Sequence, residues 1–294
     1  MTKPLFRIEC FATVMKLRLL RGQPIGAGLV RLAAVLTGDA AESLAGVTEH
    51  PGKSVHQARV ALKRARSLLR LLEKAGAAWA VPPRFRLRLL AHRMSAARER
   101  VVLVARANAW ARRLKGKERA VALTLAKRRP RFVPLGVDEI RNDLLREAGE
   151  WVVAPAPVVS RGDLRNLFRR SLDRVMRRYR EAKGRPTPAT VHEWRKAVIV
   201  LRDQTAIASE IWPGGAGVAF PMLVRFAREL GARGDVALLL RAVRGVGVPS
   251  THERARRVLV GRLEKQLKLA TVTLMARWPR IELRLARALA KKSF

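Results

Sequence analysis

The sequence predicts an all-α protein of around a dozen helices, in short-looped antiparallel bundles. Three observations carry the fold class. Nearly every long segment repeats its apolar residues with helical period. The breaks between these segments are Pro and Gly clusters, spaced at helix length. No segment alternates with period two between hairpin signals, as a strand would.

The breaks run in order along the chain. They are "PGKS" from Pro51, "GAAWAVPP" ending at Pro83, "RRPRFVPLG" from Arg128, "APAPVVSRGD" from Ala154, "GRPTPAT" from Gly184, "WPGGAG" from Trp212 and "GVGVPS" from Gly245. Short loops between helices favour antiparallel neighbours. The apolar, Pro-rich stretch 151–160 sits near the middle and reads as a linker between a first half, 20–150, and a second half, 160–294.

The halves echo each other. His56 and His192 are 136 residues apart, and the same interval separates Arg59 from Arg195, Glu99 from Asp235 and Leu103 from Leu239. Agreement across two different helices points to internal duplication.

Two of the echoing segments have the pattern of capped helices. Ser54 is followed three residues on by Gln57, and Thr190 by Glu193, the spacing of a capping box ahead of an apolar run. Read this way, His56 and His192 fall at the second helical position, beside backbone N–H groups that attract anions. In "SVHQARVALKRARSLLRLL", Arg59, Lys63, Arg66 and Arg70 share about one sixth of the circumference at 100° per residue. Ala58, Leu62, Ala65, Leu69 and Leu72 fill a separate arc. A stripe of like charge disfavours the free helix, and an extended anion lying along it would offset that. A second basic helix starts near Leu164, with Arg170, Arg174 and Arg177 at spacings of four and three.

The charge narrows the partners. Lys and Arg number 61 against 23 Asp and Glu, leaving a formal net charge of +38. Pairing every carboxylate would still leave most cations unmatched, so the expected companion is a polyanion. Nucleic acid, an anionic membrane and inorganic polyphosphate all qualify. Arg predominates over Lys, which favours forked hydrogen bonds to phosphate oxygens. Only 15 aromatic residues are present, which disfavours a single-strand binder built on base stacking.

Several functions are excluded or disfavoured. "GKS" at 52–54 lacks the upstream Gly spacing and the preceding strand of a nucleotide-binding P-loop. "HERAR" from His252 lacks the second His of a zinc helix and reads as a helix start capped from Ser250. The single cysteine, Cys10, cannot form an internal disulfide and suits a reducing compartment. Charged residues interrupt the N-terminal apolar stretch, so it does not read as a secretory signal. A cytoplasmic location follows from these features.

The phrases "VHQARVALKRARSLLRLL" and "RNLFRRSLDRVMRRYREAKGRPTPATVHEWRKAVIVLRDQ" resemble the two signature regions of the CHAD domain, the conserved histidine α-helical domain. "FARELGARGDVALLL" from Phe226 is similar to its Leu-Gly…Asp helix junction, and "SAARERVVLV" from Ser95 to the first-half partner of that junction. The resemblance spans about residues 20–290. It implies two pseudo-symmetric antiparallel helical bundles enclosing a basic groove or pore, binding of inorganic polyphosphate and recruitment to polyphosphate granules. His56, Arg59, Lys63, Arg66, His192, Arg195, Lys196 and Arg202 match the family's binding pattern, while Ile199, Asp203 and Val101 depart from it. Many relatives carry a CYTH triphosphatase domain with a Glu-x-Glu-x-Lys strand, and this sequence contains no Glu-x-Glu.

The expectation is therefore a stand-alone, non-enzymatic polyphosphate binder that uses no cofactor and no metal. Its expected contacts are the eight matching residues with Arg70, Arg170, Arg174 and Arg177. A nucleic-acid-binding or nucleoid-associated protein is the alternative, and an enzyme acting on polyphosphate is the third reading.

Overall fold

The computed structural model describes residues 18–127 and 136–290. Residues 1–17, which include Cys10, and the core of the break from Arg128 to Leu135 lie outside the described residues. Among the described residues the chain forms ten α-helices and no strand. In order they are α1 (Ile25–Ala45), α2 (Pro51–Lys74), α3 (Val81–Arg93), α4 (Ser95–Ala111), α5 (Gly116–Lys127), α6 (Val137–Val152), α7 (Arg161–Gly184), α8 (Pro188–Ala208), α9 (Val218–Arg244) and α10 (Glu253–Ala290). None is long and apolar enough to cross a membrane.

Helix starts differ from the sequence expectation in an instructive way. "PGKS" is not a break: Pro51 is the first residue of α2, and Ser54 lies within the helix. The Ser54 hydroxyl is buried and donates to the Gly46 carbonyl at 2.9 Å, tying α2 to the end of α1. Likewise α8 starts at Pro188, with Thr187 as its cap and Thr190 closing the box. Proline is well placed at a helix start, because its missing N–H would have no intrahelical partner there. The same correction moves α7, which starts at Arg161 under a Ser160–Asp163 capping box rather than near Leu164. Ser250 opens a 3₁₀ turn to His252, and α10 itself begins at Glu253.

The linker is shorter than 151–160. Helix α6 runs through Val152, and Trp151 is buried in the core at 2% exposure. The remaining coil, 153–160, is fastened to the first helices. Trp79 Nε1 donates to the Pro155 carbonyl at 3.0 Å. A Cβ on Gly26 would stand 1.8 Å from the Pro157 oxygen, so only glycine lets the coil cross the first turn of α1.

One hydrophobic core joins α1, α2, α3, α6, α7 and α8 with the first half of α9 and the second half of α10. Its aromatic centre consists of Tyr179, Trp194, Phe226 and Trp278, contributed by α7, α8, α9 and α10. The Trp194 and Trp278 rings meet edge to face at 5.7 Å, and Phe226 lies 5.0 Å from Trp278. A second, smaller core is built from Ala107 of α4, Val121 and Leu125 of α5, Leu239 and Val243 of α9, and Leu259 and Leu263 of α10.

Helix positions recur along the chain. The starts of α1 and α7, Ile25 and Arg161, are 136 residues apart, and those of α2 and α8 are 137 apart. Helix α9 lies within the interval 136 residues beyond α3 and α4, where one continuous helix replaces two. The two signature helices, α2 and α8, pack against each other.

Candidate functional site

The capping correction changes the role available to the histidines. His56 is the sixth residue of α2 and His192 the fifth of α8, so neither sits beside free first-turn N–H groups. His56 is half-buried and His192 more open. The charges acting on His192 are mostly positive.

Helix α2 turns its basic residues toward three neighbours. Arg66 is half-buried, and its guanidinium is held below its ordinary pKa by burial, then by Arg88 and Arg84 of α3 and Arg59 of α2. One turn on, Arg70 is pushed down to about 10, by burial first and then by Arg174 of α7, Arg84 and Arg66. It remains charged at neutral pH, but in a strongly cationic setting. Lys74 is lowered by burial and by Arg70, Arg174 and Arg170. Arg174 is lowered by burial and then by Arg178 and Arg177 of its own helix. Lys63 reaches the other signature helix, where it acts on His192 together with Lys196 and Arg195. The Nε atoms of Arg66 and Arg174 are buried with no hydrogen-bond partner.

These couplings unite most of the residues expected from the sequence. Arg66, Arg70, Arg170, Arg174 and Arg177 belong to one electrostatic cluster on α2 and α7, and Lys63 joins α2 to His192, Arg195 and Lys196 on α8. Arg84, Arg88, Lys74 and Arg178 are members that the sequence reading missed. Arg84 and Arg88 had a usable signal: residues four apart on a helix share a face. Arg86, between them, points away and binds Glu147, with Glu150 at 3.6 Å.

Four expected contacts have other engagements. Arg59 donates to the Ala91 carbonyl and, at 2.9 Å, to Ser95 Oγ, pinning α2 to the junction of α3 and α4. Arg195 has the corresponding placement against α9. A Cβ on Gly231 would stand 3.6 Å from its Nη2, and one on Gly234 3.5 Å from its Nη1. Arg202 is bonded through Nε, at 2.9 Å, and Nη2 to the buried carboxylate of Asp203. Lys196 pairs with Glu193 at 2.7 Å.

The departures from the family pattern also have local reasons. Ile199 packs against the main core. Asp203 supplies the partner of Arg202. Val101 fills the space above Gly52, where its Cγ1 would lie 2.9 Å from any Cβ.

Two clefts lie elsewhere. Between α5 and the start of α10 are clefts of about 230 Å³, lined by Val121, Thr124 and His252, and about 550 Å³, lined by Lys117 and Arg254. Neither includes a residue of the cationic cluster. No group of His, Cys, Asp and Glu that could hold a metal occurs among the described residues.

The fold and the site together define an all-helical domain with cations from several helices gathered on its signature helices. The chain belongs to the CHAD-domain family, whose model matches residues 32–244. That span runs from within α1 to the last residue of α9, and the family is associated with polyphosphate. Helix α10 lies beyond the match, yet its Trp278 and Leu285 complete the core. Comparison with curated proteins finds no match for the chain.

Proposed function

We propose that this protein binds inorganic polyphosphate through the cationic surface of α2, α3, α7 and α8, without turning the polymer over. The observation that carries the reading is the setting of Arg70. It is half-buried and crowded by Arg66, Arg84 and Arg174 from three helices, with Glu73 the only carboxylate among the influences named on it. Such crowding opposes folding unless anions occupy the surface. A flexible chain of phosphates can meet cations from all four helices at once, using forked guanidinium contacts.

The non-enzymatic part of the proposal rests on the sequence, which lacks the Glu-x-Glu strand of the triphosphatase that accompanies many relatives. A cytoplasmic location at polyphosphate granules belongs to the same proposal. So does descent from a duplicated half, 20–150 and 160–294, for which the recurring helix starts and the matched placements of Arg59 and Arg195 are the support.

Competition decides the partner. Labelled long-chain polyphosphate, titrated at physiological salt against duplex DNA and RNA, should keep the protein at equal phosphate concentration. Displacement by either nucleic acid would transfer the function to that partner. Phosphate released on incubation with divalent metal would make the protein an enzyme.

A further inference from the structure

Three carboxylates pair with members of the cationic cluster: Glu181 with Arg178 within α7, and Glu73 and Glu193, which also act on the half-buried Arg70 and Arg174. Glu73, at the end of α2, stands between Arg70 and Lys74, and its Oε2 meets Arg84 Nε of α3 at 2.9 Å. Arg84 is also stacked on Phe85, with its guanidinium carbon 4.8 Å from the ring centroid. The Glu73 carboxylate lies in ion-pair range of the ε nitrogen, which makes no hydrogen bond, so this contact is electrostatic. On α8, Glu193 holds Lys196 at 2.7 Å and faces Arg174 and Arg178 of α7. The protein has 23 acidic residues in all, so the two that act on half-buried cations of the cluster call for a reason.

We propose that Glu73 and Glu193 are resident counterions of the phosphate-binding surface, which incoming phosphates displace from Arg84 and Lys196, and that they set its affinity. The inference rests on the polyphosphate reading. In the absence of ligand each carboxylate neutralises part of the repulsion among its neighbours, which keeps the half-buried guanidinium groups packed and in place. Accordingly, Glu73 opposes the downward shifts of Arg70 and Lys74, and Glu193 those of Arg174 and His192. A phosphate oxygen competes with each carboxylate for the same cation, so binding weakens these pairs. The surface thus trades affinity for order. A polymer held by many other contacts can displace a carboxylate more readily than a single free phosphate can.

The opposite expectation holds if Glu73 only positions Arg84 for the ligand. Removing it would then weaken binding. The test is titration of the full chain with labelled long-chain polyphosphate at physiological ionic strength, with circular dichroism as the check on folding. Glu73→Gln and Glu193→Gln keep the side-chain size and should each tighten binding about two- to fivefold, the range of a partly exposed ion pair. Glu264→Gln, which breaks a pair with Arg244 on α9 and α10, controls for net charge and should stay near wild type. If Glu73→Gln loses helix, Glu73→Asp replaces it; the carboxylate, one methylene shorter, releases Arg84 and should tighten binding to a lesser degree. Unchanged or weaker binding by the Glu73 variants would overturn the inference, as would equal tightening by Glu264→Gln. Failure of the wild-type protein to bind polyphosphate would instead overturn the proposed function itself.

Discussion

Arg59 and Ser95 are joined by a 2.9 Å hydrogen bond that fixes α2 against the start of α4. Residues 136 further on, Arg195 and Gly231, meet in the corresponding place, where the guanidinium lies within ordinary contact range of the glycine. The Arg of each signature thus lies against the following helices. It follows that Arg59 contributes to stability as well as to charge. Hydrogen bonds from a charged group contribute about 1.5–3 kcal/mol when partly buried. At about 2–4 °C per kcal/mol for a chain of this size, Arg59→Ala should lower Tm by roughly 3–10 °C. Lys63→Ala, on an exposed position of the same helix, should shift it by no more than about 2 °C. Thermal scans of both variants check this; equal shifts would remove the anchoring role.

A second expectation compares two triple variants. Arg66, Arg70 and Arg174 lie where α2, α3 and α7 converge, and among the influences named on them the carboxylates are Glu73 and Glu193 alone. Arg195 is packed on α9, Lys196 is paired with Glu193, and Arg202 is paired with Asp203. Charge-neutral replacement of the first three should therefore weaken polyphosphate binding by at least tenfold more than replacement of the second three, a difference of about 1.4 kcal/mol. The first set also relieves repulsion, so its Tm should not fall with its affinity. Titration and a thermal scan of each variant decide the matter, and equal losses of affinity would place the phosphate chain across α8 instead.

How far the sequence reveals this site depends on the kind of inference used. Helical period exposed the stripes on α2 and α7, because the 3.6-residue turn dictates which cations share a face. It could not show that Arg174 stands close enough to act on Arg70, since that depends on the tertiary arrangement of the helices. Helix starts were misplaced at Ser54 and Thr190 for a local reason. A hydroxyl followed by Gln or Glu mimics a cap, while Pro51 and Pro188 a few residues earlier were the true signals. Arg202 is a candidate ligand through its match to the family's binding pattern, and only the neighbouring buried Asp203 shows where its guanidinium goes.

Salt dependence tests the electrostatic mechanism as a whole. Binding that neutralises phosphates releases their condensed counterions, and for single-stranded nucleic acid the log–log slope is about −0.7 per phosphate. Contacts to six phosphates across α2, α3 and α7 would give a slope of about −4 or steeper for polyphosphate. Fluorescence titrations over a range of salt concentrations measure it directly. A nearly flat dependence would exclude the cationic surface as the binding element.

The last expectation concerns pH, and His192 supplies its sign. Although much of its surface is open, crowding by the protein holds its pKa below the ordinary 6.5, and Lys196, Arg195 and, across the helix interface, Lys63 push in the same direction while Glu193 opposes them. The unfolded chain therefore binds a proton more readily than the ligand-free fold. The stability contributed by neutral His192 is complete above 6.5 and is lost as pH falls through the lower folded value. A phosphate bound beside the imidazole has the reverse effect, because it favours the charged form. The complex takes up a proton, so affinity should rise over the same window in which the free protein loses stability. Thermal scans and polyphosphate titrations between roughly pH 7.5 and 5.5 would show the two curves moving in opposite directions. His192→Gln should flatten the part of each that belongs to this residue. Affinity that stays level through the window, with stability falling as expected, would mean that His192 titrates in the fold but does not touch the phosphate chain.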